Sequence, residues 1–328
     1  MKFIELKKHL VSEKHFVCYN LCGDDLFLIN SSTSMFYNYV AHNNELSKMV
    51  LSTENLDSKS LLNALNSSSF FGGEKVVVIK DLEISKSKEL LGTIKEYLKS
   101  PNELSILVVV SDQPIFDAKT TVKNFVLVDC NRLDLKMLNV WIASHLKEHN
   151  AKMEQGAIQK LIDYTNAYLA IISIELDKLI SYAGEREITA DDVESLVNKT
   201  LEYSIYELTE NLGKGNTEKA FEIYDEMMNN KKVAPSVFGL IQNYFRRMFY
   251  SAVSQGTNAQ IGAELGVKEF AVKKAKESAS YFSKATLKDI VELCADLDFK
   301  IKTSQIQYEN AVNYLLMFIL TKNKNAIN

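Results

Sequence analysis

The sequence has 328 residues and a net charge of −4 at pH 7, with 46% apolar and 24% charged residues. This length suffices for two or three domains with separate cores, and the negative charge argues against a protein that coats nucleic acid by charge alone. No apolar run reaches the roughly 18–20 residues that span a bilayer, and four scattered cysteines are too few for a disulfide framework, so we expect a cytoplasmic protein without a membrane segment.

The first 130 residues alternate between strand and helix patterns. The segments "KVVVIKD" and "LSILVVVSD" are apolar on both faces, which is typical of central strands in a parallel sheet covered by helices. We therefore predict an α/β domain that ends near Asn131. Its predicted strands are Phe16–Asn20, Lys48–Ser52, Lys75–Asp81, Leu104–Asp112 and Phe125–Cys130, and its predicted helices begin at about Asp24 and cover Ser58–Asn66 and Ile84–Lys99.

The rest of the chain has the patterns of an all-α protein. Thr189 is predicted to cap a short helix, with Asp192 three residues later completing a capping box. This helix, Ile188–Val197, follows Leu135–Asn150, Glu154–Thr165 and Leu169–Ala183. Beyond Glu202 we predict longer helices at Ile205–Leu212, Thr217–Asn229 and Pro235–Val253, an interrupted pair between Asn258 and Tyr281, and one long helix at Ala285–Leu320.

The turn after the first strand is where a nucleotide-binding parallel sheet carries its phosphate loop. Such a loop reads G-x-x-x-x-G-K-[ST], and its backbone amides and lysine neutralise the phosphates. This chain reads "CGDDLFLINS", with Gly23, no lysine, and the carboxylates of Asp24 and Asp25 at that place. We expect these acids to cap the next helix and to repel a triphosphate. Neither ATP hydrolysis nor a bound cofactor is expected.

The segment "HLKEH" matches the H-x-x-E-H spacing of one class of zinc metallopeptidases. On a helix His145 and His149 share a face, as zinc ligation requires, and a zinc hydrolase would use Glu148 between them. The same face also carries apolar residues, including Trp141, and the sequence assigns no third ligand. We therefore favour packing and capping of the helix end, and we expect no metal site.

The stretch Ala259–Glu277 has the spacing of a helix-turn-helix, with Gly266 in the turn and lysines on the second helix. A DNA-binding regulator is therefore an alternative function. The second helix lacks the Arg, Asn and Gln side chains that make bidentate contacts to bases. Contact with the DNA backbone, through residues such as Lys273 and Lys274, is therefore favoured over sequence-specific binding. Two short helices around a glycine turn are also ordinary packing in a helical domain.

Phe70 and Phe71 are adjacent at the end of a polar stretch and directly precede Gly72 and Gly73. On a helix two adjacent side chains point about 100° apart, so both cannot enter one core stripe. One interpretation is that one ring packs under the sheet and the other covers the core. The other interpretation is an exposed pair that binds a partner, and the residues alone do not decide between the two.

These features together resemble the delta subunit family of bacterial DNA polymerase III. The resemblance covers nearly the whole chain and depends on the order and spacing of several motifs. They are "YNLCGDDLFLI", "SSSFFGGEKVVVIKD", "AIISIELDKLISYAG" followed by "ITADDVESLV", "SIYELTENLGKGNTEKAFEIYDEM" and "LCADLDFKIKTS".

The resemblance implies an AAA+-like plan of three domains. These are a RecA-like αβ domain at 1–131 with a degenerate nucleotide site, a small helical lid domain at 132–202 and a helical collar domain at 203–328. It also implies a non-catalytic subunit of the polymerase holoenzyme that belongs to the clamp loader. The implied partners are the sliding clamp, ATPase subunits, a delta-prime type subunit and primed DNA.

For the paired phenylalanines the resemblance implies an exposed hydrophobic wedge that enters a pocket on the sliding clamp and promotes ring opening. Relatives often carry a leucine before the phenylalanine, so the pocket has to accept a bulkier ring here. The implied clamp-binding residues are Ser69, Phe70, Phe71 and Gly72. The candidate contacts to the DNA backbone are Lys300 and Lys302 in "DFKIKTS", together with Lys273 and Lys274. For Lys300 and Lys302 a solvated helix face is the favoured interpretation.

Overall fold

The computed structural model describes six stretches of the chain. The chain forms two compact units. Among the described helices, none combines the length and the apolar character needed to cross a membrane. The first unit comprises Met1–Lys152, Leu169–Ile180 and Gly184–Arg186, and the second comprises Met153–Tyr168, Ser181–Ala183 and Glu187–Asn328. The described stretches are 1–10, 16–41, 48–68, 73–117, 122–228 and 234–327.

The first unit is built on a five-stranded sheet in which every pairing is parallel. Its strands are β1 (Cys18–Cys22), β2 (Lys48–Ser52), β3 (Lys75–Leu82), β4 (Ser105–Ser111) and β5 (Phe125–Asp129). In space they lie in the order β2-β3-β4-β1-β5. The predicted parallel α/β architecture is confirmed, although β1 begins two residues later than expected.

The two long strands β3 and β4 are buried along almost their whole length, which explains their continuous apolar sequence. Val77, Leu107 and Val109 belong to one hydrophobic core with the buried faces of α3 (Ser58–Asn66) and α4 (Lys88–Tyr97). Full burial of each such side chain is worth about 1.5–3 kcal/mol. The apolar face of α3 therefore fixes this helix against the sheet, with its carboxyl end at residue 66.

The first unit also contains a helix that the sequence analysis did not predict. Helix α1 (Phe3–Leu10) buries Phe3, Leu6 and Leu10, whose i, i+3, i+7 spacing is masked by five charged or basic residues around them. The remaining helices of this unit are α2 (Leu26–Ala41), α5 (Leu135–Glu148) and most of α7 (Leu169–Ala183).

The second unit is helical and contains a hydrophobic core in which Phe238 and Phe245 are among the largest buried side chains. The predicted capping box is confirmed: the Thr189 hydroxyl accepts from the Asp192 amide at 3.3 Å, and the Asp192 carboxylate accepts from the Thr189 amide at 2.8 Å. The helices are α6 (Gln155–Tyr164), α8 (Ala190–Leu196), α9 (Leu201–Lys214), α10 (Thr217–Met228), α11 (Ala234–Val253), α12 (Asn258–Leu265), α13 (Glu269–Ala279), α14 (Lys284–Lys302) and α15 (Tyr308–Ile327).

The prediction of one long helix at Ala285–Leu320 is wrong, because the helix is interrupted between α14 and α15. Ser304 lies in the left-handed region, with a φ of 58°. The Gln305 amide donates to the Lys300 carbonyl at 2.8 Å, and the Ser304 amide donates to the Ile301 carbonyl at 2.9 Å. These two bonds form a Schellman motif, which ends a helix by satisfying its last carbonyls.

Candidate functional site

The turn after β1 contains the two acidic residues that replace a phosphate loop. One Asp25 carboxylate oxygen accepts hydrogen bonds from the amides of Phe27 at 3.0 Å and Leu28 at 3.2 Å. Asp24 accepts a hydrogen bond from the Arg132 amide at 2.9 Å. The prediction of helix capping by these acids is confirmed for Asp25. The amides of Phe27 and Leu28 are therefore occupied by the chain's own carboxylate.

Gly23 brings the same turn into close contact with the residue that follows β5. A Cβ atom at Gly23 would lie 2.1 Å from the carbonyl carbon of Cys130, so only glycine fits here. The Asp25 amide also donates to the Cys130 carbonyl at 3.1 Å. The turn therefore presents negative charge and engaged amides, whereas phosphate binding requires free amides and positive charge.

The residues predicted to bind the clamp, Ser69, Phe70, Phe71 and Gly72, lie outside the described part of the chain. The structure describes both flanks of this segment. On one side α3 is followed by Ser67 and Ser68, and on the other Gly73 leads into β3. Gly73 has a φ of 80°, a backbone conformation that side chains with a Cβ atom rarely adopt. What the structure adds is therefore how the two flanks are held.

Lys75, the first residue of β3, is only 6% exposed and directs its ammonium group at the end of α3. The nitrogen donates to the Ala64 carbonyl at 2.5 Å, to the Ser67 hydroxyl at 2.8 Å and to the Ser67 carbonyl. Carbonyls at a helix carboxyl end lack partners within the helix and carry partial negative charge. Desolvation by burial lowers the pKa of the Lys75 ammonium group.

Two side chains near the start of β4 complete the contacts with the end of α3. The Ser105 hydroxyl donates to the Leu65 carbonyl at 2.6 Å, and the Asn102 side-chain amide donates to the same carbonyl at 3.1 Å. The end of α3 is thus bound by donors from both central strands. We call this arrangement the α3 anchor; its donors are Lys75, Asn102 and Ser105, and its acceptors are Ala64, Leu65 and Ser67.

The sequence analysis did not identify Lys75 as a structural residue. One signal was available, because "KVVVIKD" begins a continuously buried strand with a charged side chain. A lysine in that position needs acceptors inside the protein if it is buried. The acceptors lie eight or more residues earlier, and two of the three are backbone carbonyls, so the sequence pattern did not specify them.

Lys300 and Lys302, two of the predicted DNA contacts, form ion pairs along α14. Their ammonium nitrogens lie 2.7 Å from Asp296 and 2.5 Å from Asp298, each one helical turn away. The hydrogen bonds with these carboxylates raise the pKa of both lysines. Exposed pairs of this kind contribute little to stability, so either lysine can exchange its carboxylate for a phosphate at small cost.

Helices α12 and α13 flank Gly266 in the arrangement expected of the helix-turn-helix-like stretch. Gly266 has a φ of 65°, and the Val267 amide closes the end of α12 by donating to the Gly262 carbonyl at 2.9 Å. Helix α13 buries Ala275 and Ala279 in the core of the second unit. One face of α13 is therefore committed to packing within this unit.

The two lysines of α13 that were predicted to contact DNA differ in their surroundings. Lys273 is exposed, and its nitrogen lies 4.0 Å from the Glu277 carboxylate. Lys274 lies 3.3 Å from the Asp163 carboxylate and 4.7 Å from the centre of the Tyr206 ring. Lys274 is thus engaged within its own unit, an arrangement that does not favour a base-reading role for α13.

The two histidines of "HLKEH" lie together, whereas the glutamate between them contacts a different helix. His145 Nε2 lies 2.6 Å from a carboxylate oxygen of Asp177 on α7. Glu148 lies 2.8 Å from the Lys7 ammonium of α1, and the hydrogen bond with Lys7 lowers the pKa of Glu148. A zinc hydrolase would require Glu148 beside its metal, which this pairing does not favour.

Family models match the chain in three stretches. A model of the DNA polymerase III delta subunit matches residues 19–131, and a model of the C-terminal domain of that subunit matches residues 202–319. The chain belongs to the DNA polymerase III delta subunit family. A third model, described as a middle domain, matches residues 138–195. The family predicted from the sequence motifs is confirmed.

Relatives of the delta family resemble the chain over nearly its full length. The DNA polymerase III subunit delta of Bacillus subtilis is 26% identical over 325 residues. This alignment covers 93% of this chain and 93% of the relative. A probable subunit delta of Aquifex aeolicus is 22% identical over 324 residues, covering 92% of this chain and 90% of the relative.

A solved structure, the Bacillus subtilis DNA clamp loader delta protein, matches with a TM-score of 0.75 at 22% identity. The match covers 97% of this chain and 99% of that protein. The likeness confirms the predicted fold class, a RecA-like parallel sheet combined with helical domains.

Proposed function

We propose that this delta-family chain is the clamp loader subunit that binds the sliding clamp through Phe70 and Phe71, with Ser69 and Gly72 beside them. The observation that carries the proposal is the α3 anchor, which uses the buried Lys75 to hold the residues before and after this segment. Fixed flanks lower the entropy cost of ordering a segment when it binds.

Two phenylalanine rings provide enough apolar surface for a useful affinity. Full burial of one such ring is worth about 1.5–3 kcal/mol, and a micromolar complex corresponds to about −8 kcal/mol. A few buried aromatic residues commonly account for most of the free energy of binding at an interface. Phe70 and Phe71 therefore supply much of the free energy for a micromolar complex with the clamp.

The chain favours an opened or distorted clamp without itself hydrolysing ATP. By linkage it promotes opening only to the extent that it binds the opened ring more tightly than the closed ring. The carboxylates of Asp24 and Asp25 support a non-catalytic role. ATPase subunits and a delta-prime type subunit then form the rest of the assembly, which acts on primed DNA in the cytoplasm.

The domain division that accompanies this function is a RecA-like domain at 1–131, a lid domain at 132–202 and a collar domain at 203–328. The three stretches matched by family models support it, because each corresponds to one proposed domain, with only residue 202 of the third stretch lying outside its domain. The collar joins the partner subunits, and movement of the first domain within the assembly exposes or hides the segment with Phe70 and Phe71.

The test is calorimetric binding of the full chain to the sliding clamp of the same organism, without nucleotide. We expect the Phe70→Ala/Phe71→Ala double variant to bind at least tenfold more weakly than the wild type. The matched control is Phe299→Ala. Phe299 is 61% exposed on α14, and this substitution also removes a phenyl ring. This control should bind within twofold of the wild type.

Circular dichroism establishes that each variant is folded. Equal binding by the wild type and the folded double variant would show that the site is wrong while the partner is right. If the wild type binds the clamp neither alone nor with its partner subunits and ATP, the proposed partner is wrong.

A further inference from the structure

Three aromatic side chains one helical turn apart stack along one face of α5. The Trp141 and His145 rings are nearly parallel, with 18° between their planes and 4.8 Å between their centres. The His145 and His149 rings follow with their centres 4.7 Å apart. The stack places the two imidazoles side by side at the carboxyl end of α5.

Asp177 of α7 brings a carboxylate to the same place. Its oxygen lies 2.6 Å from His145 Nε2, and one ligand atom each from His145, His149 and Asp177 lie within 4.8 Å of one another. His145 is half-buried, while His149 and Asp177 are exposed. Two imidazole nitrogens and a carboxylate oxygen thus converge on a point that solvent reaches.

The backbone holds His149 firmly although it lies just after the last residue of α5. Asn150 adopts the left-handed conformation with a φ of 53°. The Ala151 amide donates to the Leu146 carbonyl at 2.9 Å, and the Asn150 amide donates to the Lys147 carbonyl at 3.2 Å. These bonds form a Schellman motif that fixes the backbone from which the second imidazole projects.

We propose that His145, His149 and Asp177 bind a divalent transition-metal ion of the zinc class, which joins α5 to α7. Imidazole and carboxylate groups are common ligands of zinc, and three protein ligands with one water complete a tetrahedral site. Ligand atoms in such a site lie roughly 3.3 Å apart, given metal–ligand distances of about 2.0–2.2 Å. His145 and Asp177 reach that spacing by separating less than 1 Å.

The site is one for binding, not for hydrolysis. The third ligand comes from α7, and Glu148, the residue that would serve as a base in H-x-x-E-H enzymes, is paired with Lys7. A metal that is bound by residues of two helices binds the folded chain and not the unfolded one, so it stabilises the fold. This inference concerns α5 and α7 and does not depend on the proposed clamp binding.

The test is calorimetric titration of the full, untagged chain with zinc chloride at neutral pH. We expect one zinc ion per chain, and at least tenfold weaker binding by His149→Gln and by Asp177→Asn. The matched control is Glu148→Gln, adjacent in sequence to a ligand, which should bind zinc within twofold of the wild type. Saturating zinc should raise the Tm of the wild type and not that of Asp177→Asn.

Trp141 provides a second readout, because it is the only tryptophan in the sequence and stacks on His145. Paramagnetic cobalt(II) in the site should quench its fluorescence in the wild type and in Glu148→Gln, but not in Asp177→Asn. The proposal is wrong if His149→Gln and Asp177→Asn bind zinc as tightly as the wild type. It is equally wrong if the wild type binds no zinc.

Discussion

The ammonium nitrogen of Lys75 lies 2.8 Å from the hydroxyl oxygen of Ser67, so one buried side chain joins the residues that flank segment 69–72. The contact fixes the distance between the end of α3 and the start of β3. The described flanks of the segment that carries Phe70 and Phe71 are therefore held by a residue that need not contact a partner itself.

Replacement of Lys75 by methionine should lower both stability and clamp affinity. Lys75→Met keeps most of the stem but leaves the Ala64 and Ser67 carbonyls without their donor, at a cost of about 1–3 kcal/mol in the free energy of unfolding. Urea unfolding measures this loss, and calorimetry measures the affinity. Lys80→Met is the control, because Lys80 is an exposed lysine of the same strand.

Lys80→Met should leave both quantities unchanged. A loss of stability in Lys75→Met at conditions where the variant is still folded, but with clamp affinity equal to that of the wild type, would refute a positioning role for the α3 anchor.

The predicted DNA contacts on α14 can be separated from general charge effects. We expect the Lys300→Ala/Lys302→Ala variant, assembled with its partner subunits, to bind primed DNA more weakly and with a smaller salt dependence. Each lost phosphate contact should reduce the slope of log K against log salt by about 1. Fluorescence anisotropy of labelled primed DNA at several salt concentrations measures the slope.

The control for this measurement is Lys288→Ala on the same helix. Lys288 also pairs with an acid one turn away, at 3.5 Å from Glu292, and is well exposed. An unchanged slope in the double variant would remove Lys300 and Lys302 from the DNA interface. The same experiment on Lys273→Ala/Lys274→Ala tests the second predicted pair.

Glu194 should make stability depend on pH under acidic conditions. Its carboxylate lies 2.8 Å from the Lys160 ammonium and accepts from the Tyr164 hydroxyl, and these hydrogen bonds lower its pKa to about 2. A carboxyl whose pKa is lower in the folded state adds stability above its unfolded pKa of about 4.3, and this contribution disappears as the pH falls toward 2. Glu194→Gln lacks the contribution.

Urea unfolding between pH 2 and about 6 measures the effect. The stability of the wild type should fall more steeply with decreasing pH than that of Glu194→Gln, while the exposed Glu185→Gln should follow the wild type. Because Glu194 is half-exposed, the difference at neutral pH should stay below about 1 kcal/mol. Parallel curves for the wild type and Glu194→Gln would contradict the prediction.

Ser304→Gly should stabilise the second unit. Ser304 occupies the left-handed position of the Schellman motif after α14, where a residue with a Cβ atom costs roughly 1–2 kcal/mol. Glycine removes this cost, although it also gains freedom in the unfolded chain, so we expect a net gain of about 0.5–1 kcal/mol in urea unfolding. Gly215→Ala, at the equivalent position after α9, should lose stability. A loss of stability in Ser304→Gly would show that the serine side chain itself stabilises the folded chain.

Elements with strong local signals could be predicted from the sequence. Helix α3 was predicted with its observed bounds, and the capping box of Thr189 and Asp192 forms as expected, because both depend on residues within one or two turns. The α14–α15 break was missed since a serine occupies the position where glycine usually marks the end of a helix. Helix α1 was missed because lysines separate its three buried side chains.

Contacts between distant parts of the chain were beyond the reach of sequence patterns. The spacing of His145 and His149 indicated a shared helix face, but Asp177 lies 28 residues further along and joins them only through the packing of α7 beside α5. Lys75 shows the same limit, because two of its three acceptors are backbone carbonyls, which carry no residue-specific signal. Local periodicity specifies elements, whereas the partners of a side chain depend on tertiary structure.

The hydrogen bonds from Phe27 and Leu28 to Asp25 have a thermodynamic consequence for any cycle that the chain takes part in. With these amides engaged and acidic residues beside them, the turn offers no differential affinity for ATP over ADP. A ligand shifts a conformational equilibrium only through such a difference. Under the proposed function, the free energy of nucleotide turnover therefore reaches this chain through its contacts with the ATPase subunits and not through a nucleotide bound at this turn.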